Sequence, residues 1–173
     1  MARNVEIKAR LVSVESIEPR VAALADRGPE CIVQDDTFFR CREGRLKLRD
    51  FGDGRAELIA YRRADIAGPK LSDYRITRSD DPAGLRDALE RALGVLGRVR
   101  KRRTLYLAGP TRIHLDRVEG LGDFLELEVV LADTQSVADG EAVARSLLDR
   151  LGIAAGALID GAYLDLLIHQ ESA

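Results

Sequence analysis

Apolar and ionisable residues alternate one by one along four stretches of the chain. Asn4, Glu6, Lys8 and Arg10 interleave with Val5, Ile7, Ala9 and Leu11. Arg45, Lys47 and Arg49 interleave with Leu46 and Leu48, and Arg112, His114 and Asp116 with Ile113 and Leu115. Glu126 and Glu128 interleave with Leu125, Leu127 and Val129. Side chains two apart on a strand share a face, so each stretch predicts a strand with one apolar row and one charged row. The polar rows are almost wholly ionisable, with carboxylates towards both ends of the chain and cations between them. Such a face requires water, or a closed polar tunnel that holds an anion and metal ions.

The same reading predicts strands near 3–11, 31–39, 44–49, 55–63, 72–78, 98–107, 110–117 and 123–132, and helices near 14–27, 82–93, 136–151 and 160–168. The first helix gathers Ile17, Val21, Leu24 and Ala25 on one face and stops at Gly28-Pro29. The second follows Asp81-Pro82 and carries Leu85, Ala88, Leu89 and Ala92. The third carries Val143, Leu147 and Leu148 and ends at Gly152. Gly109-Pro110 and Gly52-Asp53-Gly54 mark hairpins, and Ala64 to Pro69 a loop. About eight strands in hairpin connection make a long antiparallel sheet, which tends to curl or close. Helices covering the apolar rows from outside leave the charged rows inside. The expected fold class is α+β: an eight-stranded antiparallel β-barrel with helices packed outside. An open sheet with its ionic strands in solvent is the competing expectation.

Composition narrows the partners. The 173 residues fit one domain, 1–173, with a real core, and neither a linker nor an internal repeat interrupts them. A net charge of −2 argues against a nucleic-acid binder driven by an overall basic surface. No run reaches the roughly 18 apolar residues of a membrane span, and the N-terminus enters a strand pattern at once, without the apolar core of a signal peptide. Cys31 and Cys41 suit a reduced, cytoplasmic protein and are expected to pack as small apolar groups. With His114 and His169 they match no zinc-ligand spacing.

In their order and spacing, the motifs resemble the CYTH superfamily, which includes class IV adenylyl cyclases and thiamine-triphosphate or inorganic triphosphatases. Asn4-Val5-Glu6-Ile7-Lys8 is similar to the signature Glu-x-Glu-x-Lys, with Asn4 in place of the first glutamate. Leu46-Lys47-Leu48-Arg49 is similar to the family's basic strand. Lys101-Arg102-Arg103 with Tyr106, then Arg112-Ile113-His114-Leu115-Asp116, look like its paired later strands. Gly120 to Glu128 resembles its carboxylate strand, above all in the cyclase branch, and Tyr163-Leu164-Asp165-Leu166-Leu167 its closing helix. The resemblance implies a triphosphate tunnel and metal-dependent chemistry on a triphosphate-containing small molecule. It involves no nucleic acid and no membrane, and leaves room for a homodimer.

It also implies roles. Glu6, Glu126 and Glu128 would hold Mg²⁺ or Mn²⁺, ions that suit hard oxygen ligands. Asp116 would be a further metal ligand or would orient a basic neighbour. Lys8, Lys47, Arg49, Arg62, Lys101, Arg103 and Arg112 would grip phosphate oxygens. The resemblance, not periodicity, selects Lys101 and Arg103 over Arg100 and Arg102, and Arg62 over Arg63. Glu126, Glu6 and Lys101 form the expected catalytic group. Left uncompensated, the tunnel cations would repel one another and recruit an anion. His114 is expected to hydrogen-bond Asp116 in a structural role, and Ser72 and Tyr74 to be ordinary strand residues.

Asn4 brings no charge, which predicts a weaker second metal site, and Leu164 stands where cyclase relatives can carry a basic residue. The leading expectation is conversion of ATP to cyclic AMP and pyrophosphate. The alternatives are a triphosphatase, and a non-catalytic polyphosphate- or nucleotide-binding module.

Overall fold

The computed structural model describes residues 2–63 and 70–171, so the loop expected at 64–69 lies outside them. The described strands are β1 (Ala2–Arg10), β2 (Arg27–Phe39), β3 (Arg45–Asp50), β4 (Ala56–Arg63), β5 (Lys70–Ser79), β6 (Val95–Ala108), β7 (Thr111–Val118), β8 (Gly122–Val130) and the two-residue β9 (Leu158–Ile159). The described helices are α1 (Val14–Leu24), α2 (Pro82–Leu93), α3 (Val137–Leu151) and α4 (Tyr163–Glu171).

The first eight strands close into a ring. β1 pairs with β8 from Asn4 to Arg10 and with β5 from Ala2 to Glu6, both antiparallel. The order therefore runs β1-β5-β4-β3-β2-β6-β7-β8 and returns to β1. β9 takes the edge of β1 at Lys8 and Ala9, past the point where β5 leaves it.

Alternation decides the two sides of this ring. Outward rows of β1, β7 and β8 place Val5, Ile7, Ala9, Ile113, Leu115, Leu125 and Leu127 under α1 and α3, where they form the main core with Val14, Val21, Ala144 and Leu148. Gly140 lets α3 lie close on β1: a Cβ there would stand 2.6 Å from Leu131 and 2.8 Å from Val5. Ser136 and Asp139 form a capping box at the start of α3, and Gly152 ends it at φ 71°, a conformation glycine adopts without strain. α2 starts on Pro82 with Asp81 as its cap and buries no residue fully. Its Leu85 and Leu89 lean on Phe39, Leu48 and Ala56, from the outward rows of β2, β3 and β4.

Several boundaries differ from expectation, three of them for a visible reason. α1 stops at Leu24, because the Asp26 N–H donates to the Leu107 carbonyl and draws the chain into the β6 ladder at Arg27. That ladder carries β2 through Gly28-Pro29 with a register shift between Arg27 and Glu30, so local turn chemistry gives way to pairing. The last helix begins at Tyr163, since β1 claims Leu158 and Ile159 and Gly161 turns the chain at φ 74°. Cys31 and Cys41 are both exposed, not packed as expected; Cys31 lies on the outward row of β2. No described helix is long and apolar enough to cross a membrane.

Candidate active site

The inward rows meet in a cavity of about 440 Å³. Its first wall is a grid on β7, β8 and β1. One row across the three strands reads Arg112, Glu128, Glu6, and the next reads His114, Glu126, Lys8. Arg112 Nε donates to Glu128 Oε2 at 2.7 Å. Lys8 Nζ lies 3.2 Å from Glu126 Oε1, and Arg103 Nη2 donates to Glu126 Oε2 at 2.5 Å. His114 Nδ1 stands 3.7 Å from the same oxygen, beyond hydrogen-bond reach, and has no partner among the described residues. Asn4 Oδ1, at the β5 side of the wall, is also buried and has no partner among the described residues. Glu6 and Glu128 oppose each other across the β1–β8 ladder, a like-charge arrangement that disfavours the sheet unless a cation joins it.

The opposite wall carries cations held by one carboxylate. Asp36 on β2 accepts from Lys47 Nζ at 2.8 Å and from Arg49 Nε and Nη2 at 2.8 Å each. Behind Lys101 and Arg103 on β6, the fully buried Asp116 accepts from Lys101 at 3.1 Å, from Arg103 at 2.7 Å through each oxygen, and from the Tyr163 hydroxyl at 2.9 Å.

One end of the tunnel is shut. Tyr163, at the start of α4, packs against Phe124 at 4.9 Å between ring centroids, under the ammonium groups of Lys8 and Lys101 at 4.2 and 4.9 Å. Phe38, Val99 and Leu164 complete the seal. Asp165 anchors the helix: it accepts from Arg45 on β3 at 3.0 and 2.8 Å and from the Ala162 N–H at 2.7 Å. Ile32, Phe51, Ile76 and Leu105 line the cavity towards the other end.

Electrostatics follows from this pairing. Burial opposes ionising Asp36, but Arg49 and Lys47 outweigh it and hold its carboxyl far below the usual range. Burial likewise opposes charge on Glu126, and Lys8 and Arg103 overcome it, so the group stays ionised. Lys101 is pushed down to about 7 by burial and by the neighbouring Arg103, which Asp116 and Glu126 only partly offset. Burial and Arg103 lower His114, which keeps its imidazole neutral at pH 7.

Glu6, Lys8, Lys47, Arg49, Lys101, Arg103, Arg112, Glu126 and Glu128 all line the one cavity. Arg62 does not. Tyr61 points inward, so alternation turns Arg62 outward, where it is exposed and pairs with Glu43. The side chains of Arg63 and Ser72 lie outside the described residues. Asp116 stands opposite Arg103 on the β6–β7 ladder, does not line the cavity, and accepts from Lys101, Arg103 and Tyr163, which is the geometry of the orienting alternative. His114 faces Glu126, not Asp116, because the β7–β8 register sets its neighbour. The cations are not uncompensated: carboxylates pair with them throughout. Sequence reasoning missed Asp36, Gln34 and the inward-facing Tyr74. Gln34, Asp36 and Phe38 do alternate on β2, but Asp35 and Thr37 beside them blur the pattern.

The profile of the CYTH domain matches residues 2–163. The adenylate cyclase CyaB of Aeromonas hydrophila is 29% identical over 179 residues, which cover 94% of this chain and 87% of that protein. The solved PH1012 protein of Pyrococcus horikoshii superposes with a TM-score of 0.83 at 24% identity, over 94% of this chain and 98% of its own. The Hippeastrum protein HpAC1, described with a dominant triphosphatase activity, superposes with a TM-score of 0.67 at 17% identity, over 98% and 96%. A profile match across nearly the whole chain, on a closed ring with a charged lumen, places this protein in the CYTH family.

Proposed function

We propose that the chain is a metal-dependent enzyme that acts on a nucleoside triphosphate or another triphosphate inside this tunnel, leaning towards cyclisation of ATP to cyclic AMP and pyrophosphate. One observation carries the reading: a carboxylate wall on β8 and β1 faces a wall of Lys and Arg across a cavity of about 440 Å³. The residues fit a divalent metal. Two glutamates oppose each other on one ladder, and a buried amide oxygen and a buried imidazole nitrogen beside them lack partners among the described residues. Glu6, Glu126 and Glu128 would hold Mg²⁺ or Mn²⁺, which when bound would neutralise phosphate charge and lower the pKa of the attacking hydroxyl or water.

The chain's own side chains do the rest. Asp36 holds Lys47 and Arg49 in place before substrate arrives, so little reorganisation accompanies phosphate binding. Arg49 and Arg103 offer bidentate donors, and Lys8 and Lys101 compact charges, to phosphate oxygens. Glu126 sets the positions of Lys8 and Arg103. Tyr163 and α4 keep water out of the closed end. Glu126, Glu6 and Lys101 are the groups assigned to the chemical step.

The lean towards cyclisation is supported by the likeness to the Aeromonas hydrophila cyclase and by the glycine-flanked segment Gly120 to Glu128. A triphosphatase is the second reading, favoured by neutral Asn4 beside Glu6 and by apolar Leu164 on the closing helix. Incubation with ATP, thiamine triphosphate and tripolyphosphate, each with Mg²⁺ or Mn²⁺, followed by product analysis, separates the readings. Cyclic AMP with pyrophosphate marks the cyclase, and orthophosphate the hydrolase. Binding of tripolyphosphate with no product from any substrate would leave a non-catalytic module.

A further inference from the structure

We infer that the tunnel contains a mixed nitrogen–oxygen metal site, formed by His114 Nδ1, Glu126 and Glu128, that selects later first-row dications such as Co²⁺, Ni²⁺ or Zn²⁺ over Mg²⁺ and Ca²⁺. The inference rests on the metal-dependent reading above and adds which class of metal the tunnel takes. A ring nitrogen of His114 and one oxygen from each glutamate lie within 4.8 Å of one another, and Nδ1 itself stands 3.7 Å from Glu126 Oε2. Ligand atoms held about 2.0–2.2 Å from one tetrahedral ion stand about 3.3–3.6 Å apart, so side-chain rotation must close the cluster by up to about 1.5 Å.

The histidine supplies the second, independent observation. It is 4% exposed, lines the cavity, and its Nδ1 points at Glu126 without a hydrogen-bond partner among the described residues. A structural histidine in so dry a position would use that nitrogen on a neighbour. Asp116, two residues along the same strand, is instead engaged by Lys101, Arg103 and Tyr163. Imidazole nitrogen suits later first-row dications, whereas Mg²⁺ and Ca²⁺ take oxygen.

The carboxylates can accept both a cation and a metal, since each ionised carboxylate offers about four lone-pair sites. Glu128 accepts from Arg112 on Oε2, and Glu126 meets Lys8 on one oxygen and Arg103 on the other. These cations oppose a lone dication. A metal that arrives with a polyphosphate brings the compensating charge, so affinity should rise when both are present. On the other side of Glu128, Glu6 and Asn4 offer oxygen alone. The nitrogen therefore distinguishes this corner of the grid.

Pulsed electron paramagnetic resonance on the full chain tests the assignment, with MnCl₂ alone and with MnCl₂ plus pyrophosphate. Bound Mn²⁺ should show ¹⁴N modulation from a directly coordinated imidazole, replaced by a ¹⁵N pattern in histidine-labelled protein. His114→Gln should abolish it, and His169→Gln, on exposed α4, should keep it. Calorimetry should show Co²⁺ affinity falling at least about tenfold in His114→Gln, the loss that even outer-sphere partners produce, with a much smaller fall for Mg²⁺. Because the spectrum is read on the unmodified chain, a variant that fails to fold does not remove the test. Mn²⁺ bound without nitrogen coupling overturns this inference while leaving metal dependence standing. No Mn²⁺ bound, with or without pyrophosphate, overturns both.

Discussion

Across β7, β8 and β1 the charged inner row stands on an outer row that is sealed from solvent, whereas across β2 and β5 much of the outer row is open. Val5, Ile113, Leu115, Leu125 and Leu127 are 0% exposed beneath α1 and α3, while Val33 on the outside of β2 is 59% exposed. The first wall is therefore held by apolar packing, and its carboxylates sit on a stiff base. The second wall has a smaller apolar cover, Phe39, Leu48 and Ala56 beneath α2, and is also held from inside, by Asp36 bonding Lys47 and Arg49 across the β2–β3 pair. A metal site needs fixed ligands, and the packed wall supplies them. A phosphate site needs cations that stay charged while buried, and the internal carboxylates supply that condition.

The sharpest way to separate the two walls is Glu126→Gln. The substitution removes a carboxylate from the metal side and releases Lys8 and Arg103 from their partner. Turnover should fall about 10²–10³-fold, while tripolyphosphate binding stays intact or tightens, because the lost contact acts mainly in the transition state. Steady-state rates beside calorimetry read both numbers, and wild-type turnover would remove Glu126 from the chemistry.

Asp36→Ala attacks the other wall. It leaves Lys47 and Arg49 buried without their carboxylate, which costs about 3–5 kcal/mol of stability. Tripolyphosphate should restore part of this, so ligand should raise the urea midpoint more in the variant than in the parent. Equal ligand shifts in both proteins would mean that the anion does not reach these cations.

The packing contrast itself predicts a third result. Leu127→Ala, under the helices, should cost about 2–5 kcal/mol, and Val33→Ala, on the open side, should stay within about 0.5 kcal/mol. Urea unfolding of the pair measures the difference, and similar losses would refute the view of one stiff and one open wall.

The smallest effect concerns pH. Lys101 is held down to about 7, first by burial and then by Arg103. A bound polyanion favours its charged form and so raises that value. Below pH 7 the ammonium is charged in both states and no proton moves. Above pH 7 binding draws in a proton, and affinity falls as pH rises. Calorimetry of tripolyphosphate in buffers of different ionisation enthalpy, comparing wild type with Lys101→Met, isolates this proton from those of the ligand. No difference between the two proteins above pH 7 would exclude Lys101 as its source.

Much of the tunnel was legible in single residues because strand alternation is a local property. Glu6 and Lys8, Lys47 and Arg49, and Glu126 and Glu128 each sit two apart in a clean pattern, and all face the cavity. Where neighbouring positions are also polar, alternation loses its contrast. That is why Asp36, between Asp35 and Thr37, escaped notice, and why Arg62 was preferred although Tyr61 holds the inward position. The second case shows a family pattern misplacing a residue that parity, anchored on one aromatic, would have turned outward.

Spacing along the chain thus determined which side chains share a face, where most strands and helices lie, and that the ionic faces would need either water or an enclosed tunnel. The tertiary structure alone decided which charges meet. His114 faces Glu126 because of the β7–β8 register. Asp36 holds two cations because it pairs with Arg49 across β2 and β3, beside Lys47. Tyr163 seals the tunnel because Asp165 ties α4 to Arg45, 120 residues away. Such pairings depend on registers between distant segments, and the ion-pair energies inside depend on burial, which exists only once the ring has closed.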